Sequence, residues 1–265
     1  MWTSVRSAMV VIGVAVTTLV TPPGTSSAAA SQPPGAGIAS IQPASGAVVG
    51  VAHPVVVTFS APVIDRRATE RTIAVRSTPP MTGTFDWVDD TEVQWIPDHY
   101  WPSHSAVSLS VGKLSVDFST GAKVVGIASI SAHTFTVTVD GDEAGPLPTP
   151  HHRPHWGEDG VMPATMGKTE YETPTGNYTV LGKDRKVLMD SSSVGVPIDS
   201  AEGYRFEVEQ AVRITRRGLY IHSAPWALRS LGLENVSHGC VGLSPTDAEW
   251  YFDRVNIGDP VIIKE

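Results

Sequence analysis

The sequence lacks several features that would define its class at once. Its 265 residues carry a net charge of -8, and its 19 lysines and arginines form no basic stripe. Binding to nucleic acid phosphates needs clustered Lys and Arg, so no nucleic acid partner is expected. Cys240 is the single cysteine, which excludes an internal disulfide and leaves either a buried inert thiol or a reactive one.

Long hydrophobic runs are scarce as well. The apolar run Val10–Val20 ends at threonines and the pair Pro22-Pro23, whereas a transmembrane helix needs about 20 apolar residues. We expect residues 1–30 to be a signal peptide cleaved near Ala30, with export to the cell envelope, periplasm or cell wall. A single membrane helix is the alternative. Residues 31–37 are a Ser/Pro/Gly-rich linker.

The stretch 38–122 has the texture of short strands separated by turns. Apolar and polar residues alternate, and no stretch before residue 120 has helical periodicity. The expected strands are Val55–Phe59, the hairpin Thr84–Val88 with Glu92–Trp95, and Ala106–Val111. This pattern predicts a small Ig-like β-sandwich that serves as a spacer or docking module.

The stretch 123–265 forms a second block that is also mainly β, with one or two short helices. The expected strands are Thr134–Val139, Val161–Met166, Gly176–Val180, Lys186–Met189 and Val261–Ile263. A helix should begin at Ser244 as N-cap, with Pro245 first and Asp247 third. Asn256 and Gly258 should end it.

The segment Gly145–Gly160 is dense in proline and histidine. Four prolines block both ladders and helices, so the segment is predicted to be a loop. His151, His152 and His155 are potential metal ligands, but no fixed ligand spacing or acidic partner pattern accompanies them. We therefore expect a solvated loop and no metal.

The strongest chemical signal lies near Cys240. A thiol attacks acyl carbon as its thiolate, and a histidine can take its proton. His222 should end a strand, and His238 lies two residues before Cys240, on the same face of an extended chain. Gly239 lets a backbone N–H approach an oxyanion. Two histidines and one thiol are also an incomplete zinc set, because no fourth ligand has conventional spacing.

These residues resemble the L,D-transpeptidase catalytic domain of the YkuD type, in which a histidine precedes Ser/Thr-His-Gly-Cys. Three further motifs extend the likeness: Met166-Gly167-Lys168 with Thr173-Pro174-Thr175-Gly176, Met189-Asp190-Ser191-Ser192, and Gly203-Tyr204. The run His222–Trp226 is similar to the mycobacterial-type branch, which carries Ig-like domains ahead of the catalytic domain. The resemblance implies an Ig-like domain over 38–122 and a catalytic domain over 123–265.

The resemblance also implies residue roles. Cys240 would be the nucleophile, His222 its base, and Ser223 would orient the imidazole through its carbonyl. His238 and Gly239 complete the catalytic loop. Backbone N–H groups of Gly239 and Cys240, with the hydroxyl of Tyr204, would form the oxyanion hole.

The substrate-binding set contains Met189, Tyr204, Arg217, Gly218 and Gly242. Met189 and Tyr204 would wall the donor channel, although core packing is an alternative for both. The family usually has asparagine where this chain has Gly242. A side-chain contact to substrate is therefore missing or replaced.

The reaction implied is 3→3 cross-linking of peptidoglycan tetrapeptide stems without a cofactor, and carbapenems would acylate the cysteine as donor mimics. Alternatives are an L,D-carboxypeptidase, a sortase-like enzyme or a non-catalytic wall-binding protein. Sortases need an arginine after the cysteine, and the one available, Arg254, lies on the predicted helix. Endopeptidases of the NlpC type have the opposite order of cysteine and histidine.

Overall fold

The computed structural model describes residues 37–144 and 160–265. The predicted signal peptide, the linker except for Gly37, and the His/Pro-rich loop except for Gly160 lie outside these ranges. No helix within them is long and apolar enough to cross a membrane.

The first half of the described chain is a sandwich of two four-stranded sheets, ordered β1-β3-β6-β5 and β2-β8-β7-β4. Apolar side chains of both sheets share one core around the buried Trp101. Its ring lies 5.4 Å from that of Trp95 and 6.1 Å from that of Phe118. The elements are β1 (Ile38–Gln42), β2 (Val48–Val49), β3 (Val55–Phe59), α1 (Arg66–Glu70), β4 (Ile73–Ser77), β5 (Gly83–Trp87), β6 (Glu92–Pro97), β7 (Ala106–Val111) and β8 (Leu114–Thr120).

The alternation of apolar and polar residues predicted four of these eight strands, since β3 and β7 have the expected bounds and β5 pairs with β6 as the expected hairpin. It gave no ranges for β1, β2, β4 and β8. The short helix α1 was missed. It has five residues, none of them buried, so it carries no apolar periodicity. Its sequence signal is the N-cap Asp65, whose carboxylate accepts from the Ala68 N–H at 2.9 Å.

The second half is one ten-stranded sheet, ordered β13-β18-β9-β10-β12-β17-β16-β15-β14, with β11 paired to β10. Helix α2 contacts β15 and β16. The elements are β9 (Val124–Ser129), β10 (Thr134–Val139), β11 (Asp142–Ala144), β12 (Val161–Thr165), β13 (Gly176–Thr179), β14 (Gly182–Asp190), β15 (Arg205–Arg213), β16 (Tyr220–Ser223), β17 (Val241–Leu243), α2 (Pro245–Arg254) and β18 (Pro260–Lys264). Short 3₁₀ turns occupy Thr169–Tyr171, Ser191–Val194 and Pro225–Ala227.

Helix α2 confirms the predicted start. The Ser244 hydroxyl accepts from the Asp247 N–H at 3.1 Å, and Pro245 occupies the first turn, where its missing N–H costs nothing. The Tyr251 side chain is buried and packs edge-on against Phe135, with 4.9 Å between ring centroids. The helix thus anchors the core beneath the sheet that carries His222.

Two parallel strands bring the predicted catalytic residues together. β16 runs beside β17 in parallel, with His222 opposite Gly242. Cys240 directly precedes β17, so it reaches the same part of the sheet as His222. Parallel neighbours need a long connection, and residues 224–240 supply it while forming one wall of the site.

The sandwich and the ten-stranded sheet are joined by backbone hydrogen bonds. The N–H groups of Gly50 and Ala52 donate to the carbonyls of Ile257 and Gly258, at 2.8 and 2.7 Å. The fully buried Asp259 accepts from the Val51 N–H at 3.3 Å. Burial raises the pKa of Asp259 to about 6, against the opposing effect of its backbone N–H donors.

Gly50→Ala is expected to strain this joint. A Cβ at residue 50 would lie 2.0 Å from the Asp259 nitrogen and 2.3 Å from the Gly258 carbonyl carbon, both backbone atoms. Overpacking of this kind costs roughly 1–3 kcal/mol, so calorimetry should show a lower melting temperature. Gly182→Ala is the control, because its Cβ would meet only the end of the Arg213 side chain at 3.4 Å. Equal melting temperatures for both variants would contradict the expectation.

Candidate active site

The turn that carries Cys240 is held by internal hydrogen bonds. The Ser237 hydroxyl donates to the Cys240 carbonyl at 2.6 Å and accepts from the Gly239 N–H at 3.1 Å. Gly239 has φ 118°, in the region that favours glycine. The Thr173 hydroxyl donates to the Gly239 carbonyl at 2.7 Å and accepts from the Gly167 N–H at 2.8 Å. The turn is therefore rigid before any substrate arrives.

His222 is buried and its tautomer is determined by one contact. Its Nδ1 lies 2.8 Å from the Ser223 carbonyl oxygen, which can only accept. Nδ1 therefore carries the proton, and Nε2 has a free lone pair. Burial lowers the pKa of His222, with the Ser223 hydrogen bond opposing the shift, so the ring is neutral near neutral pH.

Cys240 is a neutral thiol at rest. Burial raises its pKa to about 11, and a backbone hydrogen bond from Tyr220 only partly offsets this effect. The thiol donates a weak hydrogen bond to the Gly218 carbonyl oxygen, with Sγ at 3.8 Å from that oxygen. This contact suits a protonated thiol. A neutral cysteine beside a neutral histidine requires proton transfer during attack.

Cys240 borders two cavities. A cavity of about 380 Å³ is also lined by His222, Tyr204 and Trp226, and a second of about 550 Å³ by Arg217 and Gly218. The predicted channel residues Met189 and Tyr204 line both cavities, as does His238. Gly242 borders the first one. Cys240 thus lines both cavities, which suits a reaction with two substrates.

The predicted oxyanion donors differ in availability. The Gly239 N–H already donates to the Ser237 hydroxyl, and this bond would have to break before it could serve an oxyanion. Burial is the main cause that raises the pKa of Tyr204, and the nearby Asp190 carboxylate adds to the shift. Its hydroxyl therefore stays protonated and able to donate. Tyr204 and the Cys240 N–H are the better candidates.

His238 has an environment unlike that of His222. Its ring lies between Tyr171 and Tyr204, at centroid distances of 4.5 and 5.0 Å. Its Nε2 is 3.3 Å from a Glu202 carboxylate oxygen. These contacts position the His238 ring beside the turn that carries Cys240. They also place a carboxylate near His238, whereas the contacts of His222 in the described residues include none.

Comparison with known proteins decides the family. Residues 127–263 match the model of the L,D-transpeptidase catalytic domain, and residues 20–117 match that of a bacterial Ig domain. The chain is 61% identical over 264 residues to the probable L,D-transpeptidase 3 of Mycobacterium tuberculosis, covering 97% of each chain. The chain belongs to the L,D-transpeptidase family.

Solved structures of L,D-transpeptidases agree with this fold. The crystal structure of L,D-transpeptidase 3 from Mycobacterium tuberculosis with a faropenem-derived adduct is 66% identical and superposes with a TM-score of 0.80, over 86% of this chain and 98% of that one. The LdtMt1 structure in complex with imipenem is 48% identical, with a TM-score of 0.77, over 87% of this chain and 100% of that one.

Gly242 stands where the family motif usually has asparagine, and the structure shows why a side chain does not fit this L,D-transpeptidase. A Cβ at residue 242 would lie 2.9 Å from the Ala224 Cβ and 2.9 Å from the Thr165 Cγ2. Gly242 is also buried in the ladder opposite His222. The neighbours Ala224 and Thr165 occupy the space that a side chain would need.

Gly242→Asn is accordingly expected to destabilise the protein, because the buried methyl groups of Ala224 and Thr165 would have to move. Overpacking costs typically about 1–3 kcal/mol, which urea unfolding would measure directly. The double variant Gly242→Asn with Thr165→Ser removes one of the two methyl contacts and should recover part of the loss. An unchanged free energy of unfolding in Gly242→Asn would show that the site has spare room.

Four residues near the thiol were given no role by sequence reasoning. Phe206 and Trp226 pack edge-on at the rim of the first cavity, 4.7 Å apart. Lys168 and Glu202 form an ion pair at 2.5 Å. No motif connects positions so far apart in sequence. Within the described ranges no group of His, Cys, Asp and Glu is arranged to hold a metal ion.

Proposed function

We propose that this L,D-transpeptidase forms 3→3 cross-links between peptidoglycan stem peptides through an acyl-enzyme on Cys240. The donor is a tetrapeptide stem whose third residue is meso-diaminopimelate. The acceptor is the side-chain amine of a second stem. We further propose that the protein is exported through the apolar segment Val10–Val20, since its substrate lies outside the cytoplasm.

Acylation is the first step. The Cys240 proton passes to His222 Nε2 while the sulfur forms a bond to the carbonyl carbon of the third residue. The Cys240 N–H and the Tyr204 hydroxyl donate to the oxyanion. The carbon–nitrogen bond to D-Ala then breaks, and His222 returns its proton to the leaving amine.

Deacylation repeats the sequence with a new nucleophile. The acceptor amine attacks the thioester carbon and loses a proton to His222. The carbon–sulfur bond breaks, and the thiolate takes the proton back. The two cavities at Cys240 give donor and acceptor separate approaches to the same sulfur.

The tautomer of His222 carries this proposal. Because Nδ1–H donates to the Ser223 carbonyl at 2.8 Å, the base is Nε2, and His222 and Cys240 line the same cavity. Burial of both groups keeps the resting pair neutral. β-Lactam-derived complexes of the relatives, with faropenem and imipenem, support carbapenem-type inhibition of this protein as well.

Incubation of the purified protein with a disaccharide-tetrapeptide, followed by mass spectrometry, tests the function. The proposal predicts a dimer formed with loss of one D-Ala per cross-link. Tripeptide without dimer would instead assign carboxypeptidase activity, with water as acceptor. Unchanged substrate would favour a non-catalytic wall-binding role. Cys240→Ala is the control in each case.

The pH dependence of acylation follows from the two pKa shifts. The neutral His222 is the active base, and its pKa lies below the ordinary value. The rate should rise with pH through that lowered pKa and then stay flat from about pH 7 to about pH 9, because the thiol does not ionise until about pH 11. Stopped-flow acylation by a carbapenem measures it. A rate rising about tenfold per pH unit across this range would mean attack by free thiolate without His222.

A further inference from the structure

A loop beside the active site is anchored at its base and tied at its tip. Residues 195–204, here called the flap, connect the 3₁₀ turn Ser191–Val194 to β15. At the base, the buried Ser191 exchanges hydrogen bonds with Tyr204: its N–H donates to the Tyr204 carbonyl, and its hydroxyl accepts from the Tyr204 N–H, both at 3.0 Å. At the tip, Ala201, Glu202 and Gly203 line the first cavity.

Glu202 connects the tip to two other parts of the site. Its Oε2 lies 2.5 Å from Lys168 Nζ and 3.3 Å from His238 Nε2. Lys168 is held against the nucleophile's turn, because its N–H donates to the Ser237 carbonyl at 3.0 Å. One carboxylate oxygen therefore contacts both Lys168, in the segment after β12 that supports the turn, and the histidine next to Gly239, and so links both to the flap.

The ring of His238 depends on these contacts for its orientation. Tyr204 at the flap base and Tyr171 enclose the ring. The Glu202 carboxylate lies 3.3 Å from its Nε2, a buried atom that makes no hydrogen bond within the described residues. The Lys168 hydrogen bond is the main reason that the pKa of Glu202 is lowered, so the carboxylate is charged near neutral pH.

We propose that Glu202 is a positioning residue for acyl transfer, fixing the flap and the His238 ring so that the Cys240 turn keeps its reactive geometry. The inference rests on the proposed function. Exposed ion pairs contribute little to global stability, and the Glu202 side chain is 50% exposed. Its loss should therefore affect reaction geometry far more than folding.

The test compares Glu202→Gln with Glu207→Gln in the full-length protein. Glu207 is a matched control, since its carboxylate pairs with Lys186 at 2.7 Å and is 55% exposed, on the strand that follows the flap. Stopped-flow acylation by imipenem separates the saturating rate from the half-saturating concentration. Hydrogen exchange with mass spectrometry follows the backbone of residues 195–204.

Glu202→Gln should lower the saturating rate by roughly tenfold to a hundredfold, the scale of a misplaced reacting group. It should also speed exchange in the flap and shift the ring ¹⁵N resonances of His238, while Glu207→Gln does neither. Lys168→Met should slow the reaction less, because the His238 contact remains. Adding it to Glu202→Gln should cost nothing further, as expected for one network.

A folded Glu202→Gln variant with a native saturating rate would overturn the inference, as would equal slowing in Glu207→Gln. A slow variant with unchanged flap exchange and unchanged His238 resonances would also overturn it, because the effect would then bypass the flap and the ring. Failure of imipenem to acylate the native protein at Cys240 would instead contradict the proposed function.

Discussion

Cys240→Ala should leave a folded protein that neither cross-links stem peptides nor forms a carbapenem adduct. Cys240 is the only thiol in the chain, so no other side chain can form the thioester. Removing the nucleophile of an acyl-transfer enzyme costs on the order of a million-fold in rate. Intact-protein mass spectrometry after incubation with a carbapenem should show one adduct on the native protein and none on the variant.

Circular dichroism supplies the control for Cys240→Ala. The residue is only partly buried and sits in a turn held by Ser237 and Thr173, whose hydrogen bonds go to backbone atoms. The substitution keeps those bonds, so the spectrum and melting temperature should be close to native. Cross-linking above background by the folded variant would contradict the assignment of Cys240 as the nucleophile.

His222→Ala should be almost as damaging. Without Nε2 the Cys240 thiol, whose pKa is about 11, loses the base that the proposed mechanism gives it, and general-base catalysis alone is worth about 10²–10⁴-fold. Members of one catalytic unit are not additive, so the loss should approach that of Cys240→Ala. Single-turnover acylation by a carbapenem measures it.

His238→Ala is the matched comparison for His222→Ala. His238 contacts Tyr171, Tyr204 and Glu202, which suits support of the loop, so its loss should slow acylation less. If His238→Ala were inactive and His222→Ala active, the two histidines would have the opposite roles.

Thiol titration with a disulfide reagent does not separate an inert Cys240 from a catalytic one. A buried structural cysteine reacts slowly with a disulfide reagent. The raised pKa of Cys240 makes the catalytic form slow as well. A carbapenem separates an inert thiol from a catalytic one, because its reaction with Cys240 depends on activation of the thiol by His222.

Local patterns predicted about half of the strands and the start of α2, because alternation, turn residues and capping are encoded in adjacent positions. Thr134–Val139 and the Ser244 cap illustrate this. The helix α1 was not predicted, because its five residues, none of them buried, carry no apolar stripe. The sequence drew attention to Cys240 because it is the sole cysteine and follows Ser237-His238-Gly239, whereas the role of His222 was implied by the family resemblance and stays a prediction.

Long-range contacts were not predicted from the sequence, because no local pattern encodes them. The Glu202 contacts join residues 168, 202 and 238, and the Asp259 hydrogen bond joins residues 51 and 259. The sequence predicts the Ig-like domain as a spacer or docking module. In the structure its turn at Gly50 fits against the Gly258 turn with no room for a methyl group.

The most direct test of the account is the intact mass of the native protein, acid-quenched after mixing with a tetrapeptide stem whose amine is blocked against acting as acceptor. The account predicts a covalent adduct equal to the stem minus D-Ala, located on Cys240 by peptide mapping. An adduct on another residue, or release of D-Ala by Cys240→Ala at the native rate, would contradict the cysteine acyl-enzyme.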